Sequence, residues 1–247
     1  MRSVDPLTAK PDAIPRRDPG SSLHLRDVAR AFARHESPKL IAAGFGAALA
    51  ARVVVGGWSW RDAVIPIGLI AFEPVTEWVI HVYLLHARPI RIGGRSYDLL
   101  AAREHRAHHA APGELEGVLV PTYALLVFLP AIAGVLFALS FPLHLLVGGE
   151  RIGWWLSGVL AGFAILFSYE WCHFLIHSPY RPRGRYYRTI WRNHRLHHFK
   201  NENYWFGVTS NLGDVVLGTN PERSVVSKSP TARSLGRDEL GSVGPAG

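Results

Sequence analysis

The chain has 247 residues, which is enough for one domain of ordinary size, and 48% of them are apolar. Its 27 lysines and arginines against 19 acidic residues give a formal net charge of +8, which would suit a nucleic acid, an anionic lipid surface or the loops between membrane spans. The one cysteine, Cys172, excludes an intramolecular disulfide and a zinc site built from cysteines.

The two ends of the chain are polar. Residues 1–20 contain four prolines and no hydrophobic periodicity, and residues 222–247 are rich in serine, glycine and arginine, so both are predicted to be disordered. We therefore expect a polar N-terminal tail and lead-in helix over 1–38, a membrane-embedded domain over 39–221 and a disordered C-terminal tail over 222–247.

Four apolar stretches each approach the roughly 20 residues that cross a bilayer. They cover residues 40–57, 63–85, 117–147 and 154–177. The third is longer than one span requires and contains Pro121, Pro130 and Pro142, so it is either a kinked helix or a re-entrant pair. The predicted fold class is all-α, an integral membrane protein with about four transmembrane helices.

The segments that connect these stretches differ in positive charge. Residues 87–116 contain five arginines and residues 178–200 contain seven lysines and arginines, whereas the loops near 58–62 and 148–153 contain one arginine each. Because basic loops remain in the cytoplasm, we expect both basic segments and both termini on that side. The bias towards alanine, glycine and arginine suggests a bacterial protein and hence an inner membrane.

Ten of the 13 histidines form four clusters. The clusters are His81 and His86 (HVYLLH), His105, His108 and His109 (HRAHH), His173 and His177 (HFLIH), and His194, His197 and His198 (HRLHH). On a helix, positions i, i+3 and i+4 share a face, so most of these imidazoles can converge. The pair spaced i,i+5 would either bind two metals or straddle a local distortion of the helix. We interpret His24, His35 and His144 as interfacial or hydrogen-bonded side chains.

The clusters predict a dinuclear metal site, because ten neutral imidazoles exceed what one metal accepts. Two of them end the second and fourth apolar stretches and the other two lie in the basic loops that follow, so all ten should lie at the cytoplasmic face. Imidazole suits iron, copper, zinc and nickel alike, and open positions beside a lipid bilayer favour chemistry with O₂ and therefore iron.

Two acidic residues share helix faces with these histidines. Glu77 lies four positions before His81, and Glu170 lies three before His173. Carboxylates within a span are costly unless they have a function, and ligating histidines often donate their second N–H to one. We predict that role for Glu77 and Glu170; the alternative is that they cap or bridge neighbouring helices.

The clusters follow the order HxxxxH, 18 residues, HxxHH, a long membrane hairpin, HxxxH, 16 residues, HxxHH. This pattern, over roughly residues 40–220, resembles the fatty acid hydroxylase/sterol desaturase superfamily, nearest its fatty acid 2-hydroxylase branch. The stretch HHFKNENYWFGVTSNLGDVVLGT at 197–219 is also similar to the segment that follows the last histidine box in that superfamily.

The resemblance implies a four-helix membrane anchor with a cytosolic helical cap, in which all ten clustered histidines hold two iron ions; zinc can replace the iron in a purified sample. It implies a monooxygenase that uses O₂ as cosubstrate to hydroxylate a lipid acyl chain near its carboxyl or amide end. Some relatives carry a cytochrome-b5-like domain and this sequence shows none, so we expect a separate electron-transfer protein and reductase as partners.

Other functions fit parts of the pattern. A sterol or carotenoid hydroxylase or desaturase would use the same boxes. A metal transporter or sensor would place its ligands near the middle of the bilayer instead, and nucleic-acid binding is disfavoured because the arginines flank apolar spans without a reading motif. Six aromatic residues are candidates for a substrate channel or, alternatively, for ordinary packing. They are Tyr169, Trp171, Phe174, Tyr204, Trp205 and Phe206.

Overall fold

A computed structural model describes residues 24–236 of the chain. Within this range the fold is helical apart from one small hairpin, which confirms the predicted class. The α-helices are α1 Leu25–Phe32, α2 Glu36–Val55, α3 Val64–Val79, α4 Leu100–Ala110, α5 Thr122–Val147, α6 Arg151–His177, α7 Arg185–Phe199 and α8 Leu212–Val216; the hairpin is β1 Ile90–Ile92 and β2 Arg95–Tyr97. Short 3-10 helices cover Trp60–Ala63, Leu115–Gly117 and Arg223–Val225, and a π-helix covers Ile80–Leu85.

Four helical segments of the described chain are long and apolar enough to cross a membrane, as predicted. They are Glu36–Val55, Trp60–Leu85, Leu115–Val147 and Arg151–His177. Apart from the short 3-10 helix Leu115–Gly117, the third consists of one α-helix, α5, with Pro130 and Pro142 inside it and Pro121 at its N-cap, so it is not a re-entrant pair. Large apolar side chains such as Val54, Phe72 and Leu146 are 70% exposed or more, which suits contact with lipid.

The chain divides into two compact units. The first consists of the described residues up to Ile70 together with Leu119–Arg181, and the second of Ala71–Val118 together with the described residues from Pro182 onward. The boundaries expected from composition, at residues 38 and 221, stay a prediction. Each unit combines two distant stretches of chain, so no change of composition along the sequence marks where it begins.

Small residues allow close helix packing in the first unit, where α6 packs against both α2 and α5. A Cβ atom at Gly44 would lie 2.8 Å from the Phe163 ring, and one at Gly158 would lie 2.8 Å from the Ile65 side chain. Small residues at helix crossings are typical of membrane proteins, because association there depends on van der Waals contact rather than on exclusion of water.

In the second unit, the β hairpin turns at Gly93 and Gly94. Their φ angles are 57° and 79°, which a tight two-residue hairpin turn requires and glycine adopts at little cost. The strands pair with Ile90 opposite Tyr97, and the hairpin joins the end of the second span to α4.

The end of the chain departs from the predicted disordered tail, 222–247. Residues 222–236, which we call the C-terminal strap, include the 3-10 helix Arg223–Val225, and the backbone N–H of Ser229 donates to the carbonyl of Lys200 at 2.7 Å. Residues 237–247, and the part of the N-terminal tail before residue 24, lie outside the described residues.

Candidate metal centre

A widened helical turn brings the first histidine pair together. The π-helix Ile80–Leu85 continues α3, and the backbone N–H of His86 donates to the carbonyl of His81 at 3.0 Å. A π turn pairs residues five positions apart, and such turns are frequent at functional sites. The two rings are therefore neighbours, with centroids 5.0 Å apart, which confirms the local distortion rather than a helix of regular pitch.

Five histidines of the second unit form what we call the first histidine group. One ligating nitrogen of each lies within 4.8 Å of those of the others. The π turn, α4 and α7 supply its members, which are His81, His86, His105, His109 and His197. Four are buried and His86 is partly buried, so the group is largely shielded from solvent.

In two rings of this group, hydrogen bonds at Nδ1 leave Nε2 without a proton, and these two Nε2 atoms face each other. His109 donates through Nδ1 to the carbonyl of Ala232, and His197 through Nδ1 to that of Tyr204, both at 2.9 Å. A neutral imidazole has one N–H, so Nε2 of each ring carries only a lone pair. These two Nε2 atoms are nevertheless 3.1 Å apart, a distance at which two lone pairs repel unless a cation lies between them.

A bound metal accounts for this spacing. With metal–nitrogen bonds of ~2.0–2.1 Å, two ligands at a right angle lie about 3 Å apart. A similar arrangement occurs at His81, whose Nδ1 donates to the carbonyl of Phe206 at 2.7 Å while its Nε2 lies 3.1 Å from Nε2 of His105. The donor set therefore fits one metal ion.

Burial favours the neutral form of four imidazoles of this group. It lowers the pKa of His109 to about 4 and is the main cause of the lowered pKa values of His86, His105 and His197, with neighbouring histidines as further causes. Metals bind the deprotonated imidazole, so the group is ready for ligation at neutral pH.

A second histidine group lies in the same unit. Nε2 of His194 is 3.0 Å from Nε2 of His198, and the ring centroids of His198 and His108 are 4.7 Å apart. All three side chains are buried. In the first unit, His173 and His177 lie one turn apart on α6 with ring centroids at 4.9 Å, and both are buried.

The two predicted glutamates bridge segments of the chain. Glu77 accepts hydrogen bonds from the backbone of Val208 and from the backbone and hydroxyl of Thr209. Glu170 accepts from the Ser37 hydroxyl and, at 2.7 Å, from the backbone of Val120. These contacts are of the kind that the bridging alternative expects, and the role of both glutamates beside the histidines stays a prediction. The outer N–H groups of three ligand candidates, His81, His109 and His197, bind backbone carbonyls.

Asp214 is a residue of this site that the sequence reasoning missed. Its carboxylate accepts from the backbone N–H groups of Phe206 at 2.9 Å and Gly207 at 2.8 Å, and from the Thr219 hydroxyl at 2.6 Å. Burial raises its pKa. These bonds fix the turn whose Phe206 carbonyl orients His81. One sequence feature could have indicated Asp214: it lies within residues 197–219, the stretch that resembles the segment after the last histidine box.

Three of the candidate channel residues lie next to one another in the second unit. The ring of Phe206 lies 5.2–5.5 Å from those of His81, His86 and His197, so it covers the first histidine group. Trp205 is buried, with φ 58°, and its indole N–H donates to the Pro221 carbonyl. Tyr204 contributes the carbonyl that orients His197.

The other three candidates belong to α6. Trp171 and Phe174 pack on Phe32 of α1, with ring centroids 5.3 and 5.5 Å away. These ring contacts are of the kind that the packing alternative expects, and a channel role for both residues stays a prediction. The Tyr169 ring lies 5.6 Å from that of His173.

The three histidines that belong to none of the four sequence clusters are His24, His35 and His144. His24 and His35 are at the N-caps of α1 and α2, and His144 is in α5.

Comparison with known proteins gives consistent matches. The family pattern described as fatty acid hydroxylase matches residues 66–219. The dihydroceramide fatty acyl 2-hydroxylase of Arabidopsis thaliana is 30% identical over 66% of this chain and 65% of its own length, and the fatty acid 2-hydroxylase of Mus musculus is 28% identical over 60% and 37%. The chain thus spans less than two thirds of these relatives. A solved structure of full-length scs7p, with only its hydroxylase domain visible, is 20% identical, with a TM-score of 0.57 over 82% of this chain and 69% of that one, which supports the fold.

Proposed function

Because the chain belongs to the fatty acid hydroxylase family, we propose that it is a multi-pass membrane monooxygenase that hydroxylates a lipid acyl chain with two iron ions, O₂ and external electrons. The observation that carries this proposal is the pair of bare Nε2 atoms of His109 and His197, 3.1 Å apart in a buried site. Such a pair is stable when a cation occupies the space that both lone pairs face.

For the second metal we propose His108, His194 and His198 together with His173 and His177. The first three already lie together with buried rings, and His194 and His198 have the nitrogen spacing of two ligands of one metal. The i,i+4 pair on α6 supplies two more imidazoles in the order that the box pattern predicts. Each metal would then have five histidine ligands.

The residues of this chain prepare the site in three ways. Backbone carbonyls of Phe206, Tyr204 and Ala232 fix the tautomers of three ligands, so that Nε2 of each ring presents a lone pair to a metal. Burial keeps water away, and the Phe206 ring covers one side of the first group. When bound, a redox-active metal pair supplies the activation of O₂ that attack on an unactivated C–H bond requires.

The membrane context supports a lipid substrate. The relatives are named for hydroxylation of fatty acyl groups, and the first histidine group begins where the second candidate span ends, at Leu85. An acyl chain lying in the bilayer would reach such a site by its headgroup end, which favours oxidation close to the carboxyl or amide group. From the basic loops we propose that the site faces the cytoplasm of a bacterial inner membrane.

Metal analysis tests the metal part of the proposal. Protein purified from iron-supplemented cells should contain two metal ions per chain, His197→Ala and His108→Ala should each lose metal and activity, and His144→Ala should retain both. A wild-type protein that is active with one metal ion or none would contradict the dinuclear site.

Product analysis tests the reaction. The protein would be supplied with a ferredoxin or cytochrome-type electron carrier, its reductase, ¹⁸O₂ and a panel of acyl lipids, and the products examined by mass spectrometry. We expect one ¹⁸O atom in the acyl chain near its carboxyl or amide end. Loss of two hydrogens without oxygen would mean desaturation, and oxygen found only in a sterol or carotenoid would mean the alternative substrate class; either result contradicts the proposal.

A further inference from the structure

We propose that the C-terminal strap is part of the first metal site: the backbone carbonyl of Ala232 is a positioning group that holds the His109 ring with Nε2 directed at the metal. The family pattern matches residues 66–219, and this group lies after that segment. The inference rests on the proposed function only in that a metal binds the first histidine group.

The contact itself is buried and specific. Nδ1 of His109 lies 2.9 Å from the Ala232 carbonyl oxygen, and the two residues are 0% and 2% exposed. A carbonyl oxygen can only accept, so it selects the tautomer with its proton on Nδ1. Without it the proton can move to Nε2, where it would donate to Nε2 of His197. The two ligands would then bind each other instead of a metal.

Arg233 fastens the strap directly beside this contact. Its guanidinium donates from Nε to the His109 carbonyl at 2.9 Å and from Nη2 to the Ala110 carbonyl. These are carbonyls of the last turn of α4, which lack partners within the helix and attract a cation. The guanidinium also lies over the Phe199 ring, 5.2 Å from its centroid, so one side chain joins the strap to both α4 and α7.

Glu202 fastens the strap on the other side of Ala232. Its Oε1 accepts from the hydroxyls of Ser229, at 3.0 Å, and Thr231, and the Ser229 backbone binds the carbonyl of Lys200. Glu202 is 7% exposed. The carbonyl of Ala232 is thus fixed between two anchored residues, so its orientation does not depend on the Ala232 side chain.

The experiment removes the side-chain contacts that hold the C-terminal strap in place and measures the metal affinity of the full chain. Arg233→Ala removes one anchor, and the double variant Ser229→Ala/Thr231→Val removes the other without changing the charge. Purified metal-free protein is titrated with Co²⁺, whose absorption reports imidazole ligation. We expect each variant to bind the first-site cobalt about 10–100-fold more weakly, the usual effect of losing a group that orients a ligand, with the other cobalt unchanged.

Three controls separate positioning from general stability. Lys228→Ala alters an exposed strap residue and should leave both affinities unchanged. Arg233→Lys keeps the cation and should restore part of the lost affinity. In a His109→Ala background, Arg233→Ala should have no further effect on cobalt binding, because the ligand that it positions is absent.

The outcomes distinguish this inference from the proposed function. A wild-type protein that binds no cobalt at the first group would overturn both. A wild-type protein that binds two cobalt ions, with full affinity retained in both strap variants, would overturn the strap proposal alone. An additional loss caused by Arg233→Ala in the His109→Ala background would also overturn it, because the strap would then act by general stability.

Discussion

We expect Asp214→Asn to weaken metal binding at the first histidine group, although Asp214 is not one of the proposed ligands. The carboxylate uses both oxygens, with Oδ1 bound to Phe206 N–H and the Thr219 hydroxyl and Oδ2 bound to Gly207 N–H. The amide of asparagine must turn its NH₂ towards one of the two backbone donors. Either orientation leaves a buried N–H facing another donor.

The expected loss of stability follows from these contacts. A hydrogen bond to a charged group contributes about 1.5–3 kcal/mol, and an unsatisfied buried donor costs about 1–3 kcal/mol. Because the two effects overlap, we expect a loss of about 2–4 kcal/mol. For a chain of this size that corresponds to an apparent unfolding temperature lower by roughly 4–16 °C.

The turn at Phe206 would loosen at the same time, and with it the carbonyl that orients His81. Thermal unfolding in detergent at a fixed scan rate and metal analysis of the same samples measure both effects. The exposed Glu222→Gln is a matched control in the same unit. If Asp214→Asn unfolded at the wild-type temperature with full metal content, the reasoning from its hydrogen bonds would be wrong.

Three further predictions follow from the geometry. Gly213→Ala should fail to give monodisperse protein in size-exclusion chromatography, because its Cβ would overlap the Pro74 carbonyl, whereas Gly46→Ala, with open space around it, should behave as wild type. The metal-free protein should lose stability as the pH falls from about 6.5 to about 4. The cause is that histidine in the unfolded chain takes up a proton near pH 6.5, while His109 in the folded protein does so only at about 4. Denaturant midpoints at several pH values measure this loss, and a midpoint independent of pH would contradict it. Gly113→Cys, in a Cys172→Ser background, should react with a membrane-impermeant maleimide only after cell lysis; labelling of intact cells would reverse the proposed orientation.

The sequence predicted those parts of the structure that leave a local pattern. Apolar runs specify the four spans, and the i,i+4 spacing of His105 and His109 or of His194 and His198 places each pair on one helix face. The i,i+5 pair His81 and His86 could not be interpreted in this way, because a π turn has no simple signature in the residues that form it.

Backbone partners could not be predicted at all. The carbonyls of Ala232, Tyr204 and Phe206 orient three imidazoles, yet any residue type offers a carbonyl, so nothing in the sequence marks these positions. Glu77 illustrates the same limit: its spacing from His81 suggested a bond to imidazole, but no spacing could have indicated its hydrogen bonds to Val208 and Thr209, 131 and 132 positions away. Contacts over such distances depend on the tertiary fold, which periodicity does not encode.

The distance in sequence between His109 and Ala232 also sets an order of events during synthesis. The two residues are 123 positions apart, so a ribosome that adds roughly 5–20 residues per second makes the carbonyl about 6–25 s after the imidazole that it orients. All four candidate spans precede the strap and would already be made by then. If the strap positions His109 as proposed, the first metal would be acquired late, by a chain whose spans are already made, and a cell short of metal would accumulate metal-free protein.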